Sequence, residues 1–272
     1  DTTFSVGGAT AISTAAFQAA YAGAITTHLV GTAAEIAALT TAQIAAYGAA
    51  GVVDVNVEPE DAVSLSAAQV KAFIDATIVS ADVSDVITLA DFGATIDNLT
   101  AGELGNALID VIDASDDTLS LTVAQANAAT NAKLTAGDTV TVADTGANIA
   151  ALPAGNFTAF TNVDAYNASD DTLSLTVAQA NAATNAKLTA GDTVTVADTG
   201  ANIAALAAAD FTAFANVDSY DASDDALSLS VAQANAATNA KLTAGDTVTV
   251  ADTGANIAAL TAAQITAFTN VD

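Results

Sequence analysis

The sequence predicts an α/β fold: a right-handed solenoid of about ten strand–helix turns, each of about 27 residues, with a parallel sheet on one face and short helices on the other. Three observations lead to this prediction: a 54-residue internal repeat, a recurring helix-start pattern and a short alternating stretch between helix starts. Residues 119–152 read LSLTVAQANAATNAKLTAGDTVTVADTGANIAAL, residues 173–206 are identical, and residues 227–260 differ only at Ser230. Because a single unit cannot bury its apolar side chains alone, stacked units would share one core.

The predicted helices begin at a hydroxyl residue that is followed three positions later by Gln or Glu, the arrangement of a capping box. The candidate N-caps are Thr32, Thr40, Ser66, Thr100, Thr122, Thr176, Ser230 and Thr261, with Ser13 as a further candidate. One copy has Pro153 at the cap position, which removes the hydroxyl but still permits a helix to start. In the later part of the chain these starts are alternately 31 and 23 residues apart, so each 54-residue unit is predicted to contain two turns.

The predicted strands are short stretches in which β-branched and polar residues alternate, each followed by a turn rich in Asp, Gly or Ser. They begin at Val53, Val86, Val111, Thr139, Ala165, Thr193, Ser219 and Thr247. The predicted core positions are Val140, Val142, Ile149, Leu152 and their copies, with Phe157, Phe160, Phe211, Phe214 and Phe268 filling the space between helices and sheet. Alternation turns Tyr166 and Tyr220 inward.

Composition excludes several classes of function. The chain has 272 residues with 31 acidic and 4 basic side chains, a formal net charge of −27. With so few basic groups to pair with phosphates, we expect no nucleic-acid partner. There is no cysteine for disulfides or thiol chemistry, and no apolar run is long enough to span a membrane. The lack of Cys, Met and Trp, together with the large excess of Asp over Glu, favours an extracellular or cell-surface location on a bacterium.

The predicted domain organisation is an N-terminal cap or docking segment, residues 1–30, followed by the repeat array, residues 31–272. The last residues, AFTNVD, stop where the other copies of this phrase continue into a strand. Because a solenoid end without a cap exposes its core, we expect either that the chain is part of a longer repeat array or that copies associate head to tail.

The stretch IDASDDTLSL follows the rhythm of a leucine-rich repeat, with Ile112, Ala114 and Leu119 turned inward and Asp117 at the usual asparagine position. Residues 140–147 follow the same rhythm with Thr145 at that position. Over roughly residues 30–272 the chain therefore resembles a leucine-rich-repeat-like α/β solenoid, although Val, Ala and Tyr replace most of the leucines. Phrases such as LTAAQITAF and DTGANIAAL also resemble repeats of large secreted bacterial surface proteins of the adhesin or S-layer type.

The first candidate site is a ladder of aspartates, alternately 28 and 26 residues apart, that would stack along one edge of a solenoid. Adjacent carboxylates repel each other unless a cation or a hydrogen bond intervenes, and Ca²⁺ is bound by several oxygen ligands. The candidate metal ligands are Asp116, Asp117, Asp144, Asp170, Asp171, Asp198, Asp224, Asp225 and Asp252. The alternative interpretation is that these aspartates cap the turns after the strands and face water. The cofactor prediction is accordingly calcium or none.

The second candidate site is the outward face of the strands, which the leucine-rich-repeat resemblance implies as a partner face; the alternative is a solvated polar surface. Its residues are Thr141, Asn167, Thr195, Asp221 and Thr249, together with Thr88 and Asp113. His28 has no partner pattern in the sequence and is expected to be structural or exposed. Weak surface ion pairs are expected between lysines and the aspartates five residues later. These pairs are Lys133–Asp138, Lys187–Asp192 and Lys241–Asp246.

The sequence predicts a structural rather than a catalytic protein. It contains no GxSxG, P-loop, GxGxxG or HExxH motif, and near-identical copies would give equivalent sites instead of one pocket. We expect an extracellular scaffold, a building block of a filament, surface layer or adhesin, stabilised by calcium and self-associating end to end. The alternative is a recognition module that binds a protein or glycan on the outward strand face. The scaffold is favoured because Tyr166 and Tyr220, the aromatic anchors that an interface would use, are predicted to point inward.

Overall fold

The computed structural model describes residues 2–5, 27–59, 62–238 and 241–272. It is an α/β structure of short parallel sheets and short helices, so the predicted class is confirmed. The strands are β1 Thr2–Ser5, β2 Thr27–Gly31, β3 Val52–Val57, β4 Ala62–Leu65, β5 Val79–Ser80, β6 Val86–Asp91, β7 Val111–Ala114, β8 Thr118–Leu121, β9 Thr139–Asp144, β10 Ala165–Ala168, β11 Thr172–Leu175, β12 Thr193–Asp198, β13 Ser219–Ala222, β14 Ala226–Leu229 and β15 Thr247–Val250. The α-helices are α1 Ala33–Ala37, α2 Thr41–Ala49, α3 Ala67–Asp75, α4 Gly93–Ile96, α5 Ala101–Leu104, α6 Val123–Lys133, α7 Gly146–Ala150, α8 Ala154–Ala159, α9 Val177–Ala183, α10 Gly200–Ala204, α11 Ala208–Ala213, α12 Val231–Ala237, α13 Gly254–Ala258 and α14 Ala262–Ala267, with a 3₁₀ helix at Asn185–Lys187.

The strands form several separate sheets of two to four strands rather than one continuous sheet. The reason lies in the turns between consecutive strands. Between β10 and β11 the chain turns at residues 169–171, and Asp171 has a φ of 55°. This left-handed residue bends the chain, so that β10 pairs with β9 while β11 pairs with β12. Each 54-residue unit therefore contributes strands to more than one sheet.

The chain divides into two compact units, Asp1–Val140 and Thr141–Asp272. The first contains the sheets β1-β2-β3-β5 and β4-β6-β7. The second contains β11-β12-β13 and β14-β15, and in it β10 pairs with residues 141–144 of β9. Most of the predicted N-terminal segment, residues 1–30, lies outside the described residues, as does the helix start at Ser13. The predicted domain boundary after residue 30 stays a prediction.

The predicted helix starts are confirmed wherever the structure describes them. Thr122, for example, accepts a hydrogen bond from the Gln125 backbone N–H, and the Thr122 backbone N–H donates to Gln125 Oε1 at 2.8 Å. The same reciprocal pair forms at Thr32, Thr40, Ser66, Thr100, Thr176, Ser230 and Thr261. Pro153 makes no such side-chain hydrogen bond, as predicted. These caps need only residues three positions apart, which is why the sequence alone locates them.

In the part of the chain that the structure describes, each 54-residue unit has three strands and three α-helices, one more of each than predicted. The phrase DTG was predicted as a turn, and this prediction is wrong. Thr199 accepts a hydrogen bond from the Asn202 N–H and begins the short helix α10. The additional strand, β11, has only two apolar positions, Leu173 and Leu175, and both are buried. Within the described ranges, none of the helices combines the length and apolarity needed to cross a bilayer.

The predicted core is largely confirmed. The buried positions include Val140, Val142, Ile149, Leu152, Phe157, Phe160, Phe211 and Phe214. Tyr166 and Tyr220 point inward, and their ring centroids lie 4.6 Å from Phe157 and 4.7 Å from Phe211. Burial raises the pKa of both tyrosine hydroxyls. The prediction is wrong in the last copy of the repeat, where Val250, Leu260 and Phe268 are only half-buried and Ile257 is exposed.

Candidate functional site

The predicted metal ligands fall into three structural classes. In the first class an exposed carboxylate accepts a hydrogen bond from the backbone N–H of a glycine that begins a short helix, at 2.7–2.8 Å. The pairs are Asp116 with Gly93, Asp170 with Gly146, and Asp224 with Gly200. The close approach requires glycine, because a Cβ on Gly200 would lie 1.8 Å from the Ala226 carbonyl oxygen. Asp224 and Gly200 thus hold α10 tightly against the following segment of the chain.

The second class consists of Asp117, Asp171 and Asp225, whose side chains are exposed. Each has a φ of 55°, in the left-handed region that aspartate tolerates better than most non-glycine residues. The Asp225 N–H donates to the Ala222 carbonyl at 2.7 Å, and the Asp225 carbonyl accepts from the Thr247 N–H at 2.9 Å. The backbone conformation of the turn therefore explains the aspartate at these positions.

The third class lies at or within two residues of the end of a strand and consists of Asp144, Asp198 and Asp252. Asp198 Oδ2 accepts from the Val177 N–H at 3.1 Å, and its Oδ1 accepts from Asn202 Nδ2 at 2.6 Å. Burial acts to raise the pKa of Asp198, but its hydrogen bonds together outweigh burial and leave the pKa lowered. Asp252 repeats this arrangement, and the hydrogen bond from the Asn256 side chain is the largest cause of its lowered pKa.

Sequence reasoning missed further aspartates that act in the same way. Asp246, for example, is buried and accepts from the Ala222 N–H at 2.9 Å. We call an aspartate whose carboxylate accepts from a backbone N–H 21 to 24 residues earlier a cross-turn aspartate. They are Asp91, Asp110, Asp116, Asp138, Asp170, Asp192, Asp198, Asp218, Asp224, Asp246, Asp252 and Asp272. The available signal was their recurrence at fixed positions in phrases such as AGDT and NVD.

The structure does not gather these aspartates into a metal centre. Within the described residues, no group of three or more His, Cys, Asp or Glu side chains is placed to hold a metal ion. The ladder positions have hydrogen-bonding or conformational roles that require no cation, so the calcium site stays a prediction.

The residues of the predicted partner face lie on strands, and their role as a partner face stays a prediction. Its members Thr141, Asn167, Thr195, Asp221 and Thr249 alternate with more deeply buried residues. The strand register does not align them in a single row, because Thr195 lies opposite Ser219 while Asp221 lies opposite Ala197. The Thr195 and Ser219 hydroxyls are 2.8 Å apart and hydrogen-bond to each other. Thr88 and Asp113, in the first unit, are also partly exposed.

A shallow cleft of about 320 Å³ lies beside this face in the second unit. Its lining is Gly146, Ala147, Ala150, Asp170, Thr172, Leu173, Ser174, Thr193 and Thr195. The threonine and serine hydroxyls and the Asp170 carboxylate could hydrogen-bond a polar ligand, and the rest of the lining is small and aliphatic. This lining offers none of the aromatic or arginine anchors that usually dominate binding energy.

The expected lysine–aspartate ion pairs are wrong. Lys133 Nζ donates to the Asn106 carbonyl at 2.7 Å, and Lys187 Nζ donates to the Phe160 carbonyl at 2.9 Å. Lys241 Nζ donates to the Phe214 carbonyl at 3.1 Å. Each ammonium thus binds carbonyls that follow or end an earlier helix, where a cation is favoured. Burial lowers the pKa of Lys133 and Lys187.

Glutamines form a second set of links between turns. Gln233 Nε2 donates to the carbonyls of Ala204 and Leu206 at 2.7 Å each, at the end of α10. The same double hydrogen bond is made by Gln69, Gln125 and Gln179 to the pairs Ala37 and Leu39, Asp97 and Leu99, and Ala150 and Leu152. These residues therefore have two roles: they complete a capping box and they bind the preceding turn.

His28 has a partner that the sequence pattern did not indicate. Its Nδ1 lies 2.6 Å from Asp54 Oδ1, across neighbouring strands of the first unit. Another charged pair in that unit joins Lys71 Nζ and Glu103 Oε1 at 2.6 Å, and it lowers the pKa of the Glu103 carboxyl. Both pairs connect one turn to the next, which is a structural role.

One turn of the second unit differs from the others in exposure. We call residues 247–272 the open turn and residues 193–218 the covered turn; the first fourteen residues of each have the same sequence, TVTVADTGANIAAL. Ile203 of the covered turn is fully buried, whereas its counterpart Ile257 is 42% exposed. Ile265 is 60% exposed. Among the described residues, apart from its chain neighbours and the backbone of its own helix, no atom lies within 4 Å of the position a Cβ would take on Gly254.

Comparison with known proteins identifies no relative. No family model matches the chain, and neither a curated protein nor a solved structure shows significant similarity to it.

Proposed function

We propose that this chain is an extracellular structural repeat protein, a building block of a filament, surface layer or adhesin of the kind found on bacteria. The observation that carries the proposal is the repetition of the same hydrogen bonds between successive turns. In the second unit, Asp170 and Asp224 bind equivalent glycines, and Gln179 and Gln233 bind equivalent pairs of carbonyls. Polar residues that recur with the repeat are thus used to join turns, as a scaffold requires.

The fold proposed for the whole array is the right-handed, leucine-rich-repeat-like α/β solenoid of about ten turns. It is supported by the 54-residue repeat and by cross-turn aspartates with similar sequence separations in both units. When successive turns bind each other through the same groups, a further turn can be added to the array with the same interface. This property suits a protein that extends by repetition, whether within one chain or by end-to-end association.

The proposal is tested by self-association of the purified full chain. We expect its weight-average mass in sedimentation equilibrium to rise with concentration and end-to-end assemblies to be visible by negative-stain electron microscopy. The net charge of −27 opposes association, so the series is run at low and at high salt, each with calcium and with chelator. A calcium-dependent gain would support the calcium-stabilised form of the proposal. A chain that stays monomeric at high concentration in all four conditions would exclude the self-associating scaffold.

A recognition module is the second candidate, and the cleft beside Thr195 is the observation that favours it. Hydroxyls and one carboxylate, Asp170, could bind a glycan or an extended peptide there. A glycan array probed with the full chain and with Thr195→Val distinguishes the candidates. Binding that the substitution abolishes would favour recognition, and an array without any signal would count against it.

A further inference from the structure

Phe92 is an exposed aromatic residue in the first unit, directly before α4. Its side chain is 63% exposed, and among the aromatic side chains that the structure describes it is the only exposed one. An exposed ring gives up the free energy that its burial would contribute to folding. Aromatic side chains are also the groups that binding surfaces most often use as anchors. Phe92 therefore has the character of a binding anchor and not of a core residue.

The later copies of this turn have threonine at the position of Phe92. Those copies read DTGANIA, whereas residues 91–97 read DFGATID. Thr145 caps its helix by accepting a hydrogen bond from the Asn148 N–H, but Phe92 makes no side-chain hydrogen bond at the start of α4. Loss of such a cap lowers stability. A residue that breaks a local rule of the fold in this way is typical of a functional site.

The second change in the phrase leaves a carboxylate beside the ring with an unused acceptor site. In a later copy, Asn148 Nδ2 donates to Asp144 Oδ1 at 2.7 Å. Thr95 has no amide group to do the same, so among the described residues Asp91 Oδ1 accepts only from the Phe92 N–H, at 2.8 Å. Because a carboxylate oxygen can accept more than one hydrogen bond, Asp91 Oδ1 can bind a further donor.

The third change replaces an alanine of the later copies by Asp97, whose Oδ1 accepts from the Ser120 N–H at 3.0 Å. Burial raises the pKa of Asp97, the hydrogen bond from Ser120 opposes the shift, and the charge of Asp116 adds to it. Asp116 itself accepts from the N–H of Gly93, the residue after Phe92, at 2.8 Å. Within the described ranges no lysine or histidine forms an ion pair with these carboxylates, so this chain supplies no cation for them.

Charge determines which kind of partner fits this surface. A cation is attracted both to the face of a phenylalanine ring and to carboxylates. Arginine suits the combination, because its guanidinium group stacks on aromatic rings and donates paired hydrogen bonds to carboxylates. The chain has no arginine, and each of its four lysines is bound to other groups of the chain. A second copy of this chain is therefore a poor occupant, and a different, basic protein is a good one.

We infer that the exposed ring of Phe92 binds an arginine-bearing segment of a different, basic protein. The guanidinium group stacks on the ring and donates to the flanking carboxylates, which are Asp91, Asp97 and Asp116. The backbone amides of α4 take no part, because the Gly93 N–H is already bound by Asp116. The inference goes beyond the proposed scaffold, since a partner site in the first unit does not depend on end-to-end association.

The test is a titration of the full chain with a short fluorescein-labelled glycine–serine peptide that contains arginine, followed by fluorescence anisotropy in about 0.15 M salt. A matched peptide has citrulline in place of arginine, which keeps the shape of the side chain without its charge. We expect saturable binding of the arginine peptide and at least about tenfold weaker binding of the citrulline peptide. NMR of the chain with isotope-labelled phenylalanine locates the site, because the signals of the Phe92 ring should shift on binding.

Phe92→Thr is the matched variant, because it restores the residue of the later copies without a change in charge. It should raise the melting temperature by adding the helix cap and should weaken binding of the arginine peptide at least about threefold. Asp97→Asn should also weaken binding. Asp221→Asn removes the same charge from the second unit and should bind like the original chain. Circular dichroism melts of the three variants establish that they are folded.

Equal binding of the arginine and citrulline peptides, or equal binding by Phe92→Thr and the original chain, would overturn the inference. So would the absence of saturable binding of the arginine peptide. If a glycan array gives a signal that Phe92→Thr abolishes while the arginine peptide does not bind, the ring is a platform for a sugar and the inference is wrong. A chain that binds the arginine peptide but stays monomeric in sedimentation would keep this site and exclude the self-associating scaffold, so the two failures are separable.

Discussion

The covered turn and the open turn begin with the same fourteen residues and pair alike with the preceding strand, yet they differ in burial. Ile203 is fully buried in the first and Ile257 is 42% exposed in the second. The difference arises because residues 219–237 lie against one turn and no described residues lie against the other in the same way. Burial in this protein is thus a property of a pair of turns. A turn's own sequence determines only which groups it presents to a neighbouring turn. Because the two turns share their first fourteen residues, the contribution of the neighbour to stability can be measured within one molecule.

The largest expected difference concerns the two isoleucines. Ile203→Ala should lower the free energy of unfolding by about 2–5 kcal/mol, because it removes buried methyl groups and leaves a cavity. Ile257→Ala should cost under about 1 kcal/mol, because much of that side chain already contacts solvent. Urea unfolding measures both, and hydrogen exchange of residues 193–206 locates the loss. Equal losses would mean that Ile257 is covered in solution.

Replacing a glutamine that links two turns should have a smaller effect on the free energy of unfolding, and Gln264 serves as the internal control for Gln233. Gln233 and Gln264 both complete capping boxes, but Gln233 also donates to two carbonyls of the preceding turn, whereas Gln264 Nε2 donates to the exposed Asn235 side chain. Replacement by alanine removes the capping contribution in both. The additional loss in Gln233→Ala should be about 1–2 kcal/mol, since two backbone carbonyls lose their donor. The measurement is the difference between the two urea midpoints, and identical midpoints would assign no stabilisation to the cross-turn link.

The features that sequence predicts here are those in which the interacting residues are close along the chain. The reciprocal bond between Thr122 and Gln125 needs only three residues, and the inward direction of Tyr166 follows from strand alternation. The short helix α10 was missed because five residues show little periodicity and DTG is typical of a turn.

The roles of the aspartates could not be derived in this way. Their spacing of 26 and 28 residues suggests stacked carboxylates, whereas their partners are backbone N–H groups, which every residue except proline carries. Only the fold shows that the carboxylate of Asp224 meets the N–H of Gly200. Likewise the aspartate at position 225 is explained by its left-handed φ of 55°, and the spacing of the aspartates along the sequence does not reveal this backbone conformation. A carboxylate that recurs with the repeat therefore predicts a recurring contact. The spacing alone does not distinguish a bound cation from a backbone N–H group as the partner.

The smallest expected effect is a pH dependence that separates two kinds of cross-turn aspartate. Asp246 is 6% exposed, and burial is the main reason that its pKa is raised; the hydrogen bond from Ala222 opposes the shift, and the charges of Asp221, Asp224 and Asp225 add to it. A raised pKa in the folded state means that the stability contribution is fully present below the ordinary aspartate pKa of about 3.9 and is lost as the pH rises through the folded value. Asp246→Asn keeps an oxygen acceptor for the Ala222 N–H but does not titrate, so the variant should gain stability relative to the original chain as the pH rises from about 4 to 7.

Asp252→Asn, on the open turn, should show the opposite dependence of stability on pH. Hydrogen bonds from the Asn256 side chain and from the Thr253 and Val231 N–H groups lower the pKa of Asp252, so its contribution is present above the ordinary aspartate pKa and is lost as the pH falls through the folded value. This variant should therefore be less stable than the original chain at pH 7, and the difference should shrink in acid. Urea unfolding at a series of pH values measures both curves. Opposite slopes would show that the buried Asp246 opposes folding at neutral pH while the half-buried Asp252 favours it. Parallel curves would mean that cross-turn aspartates are energetically alike whether or not a following segment covers them.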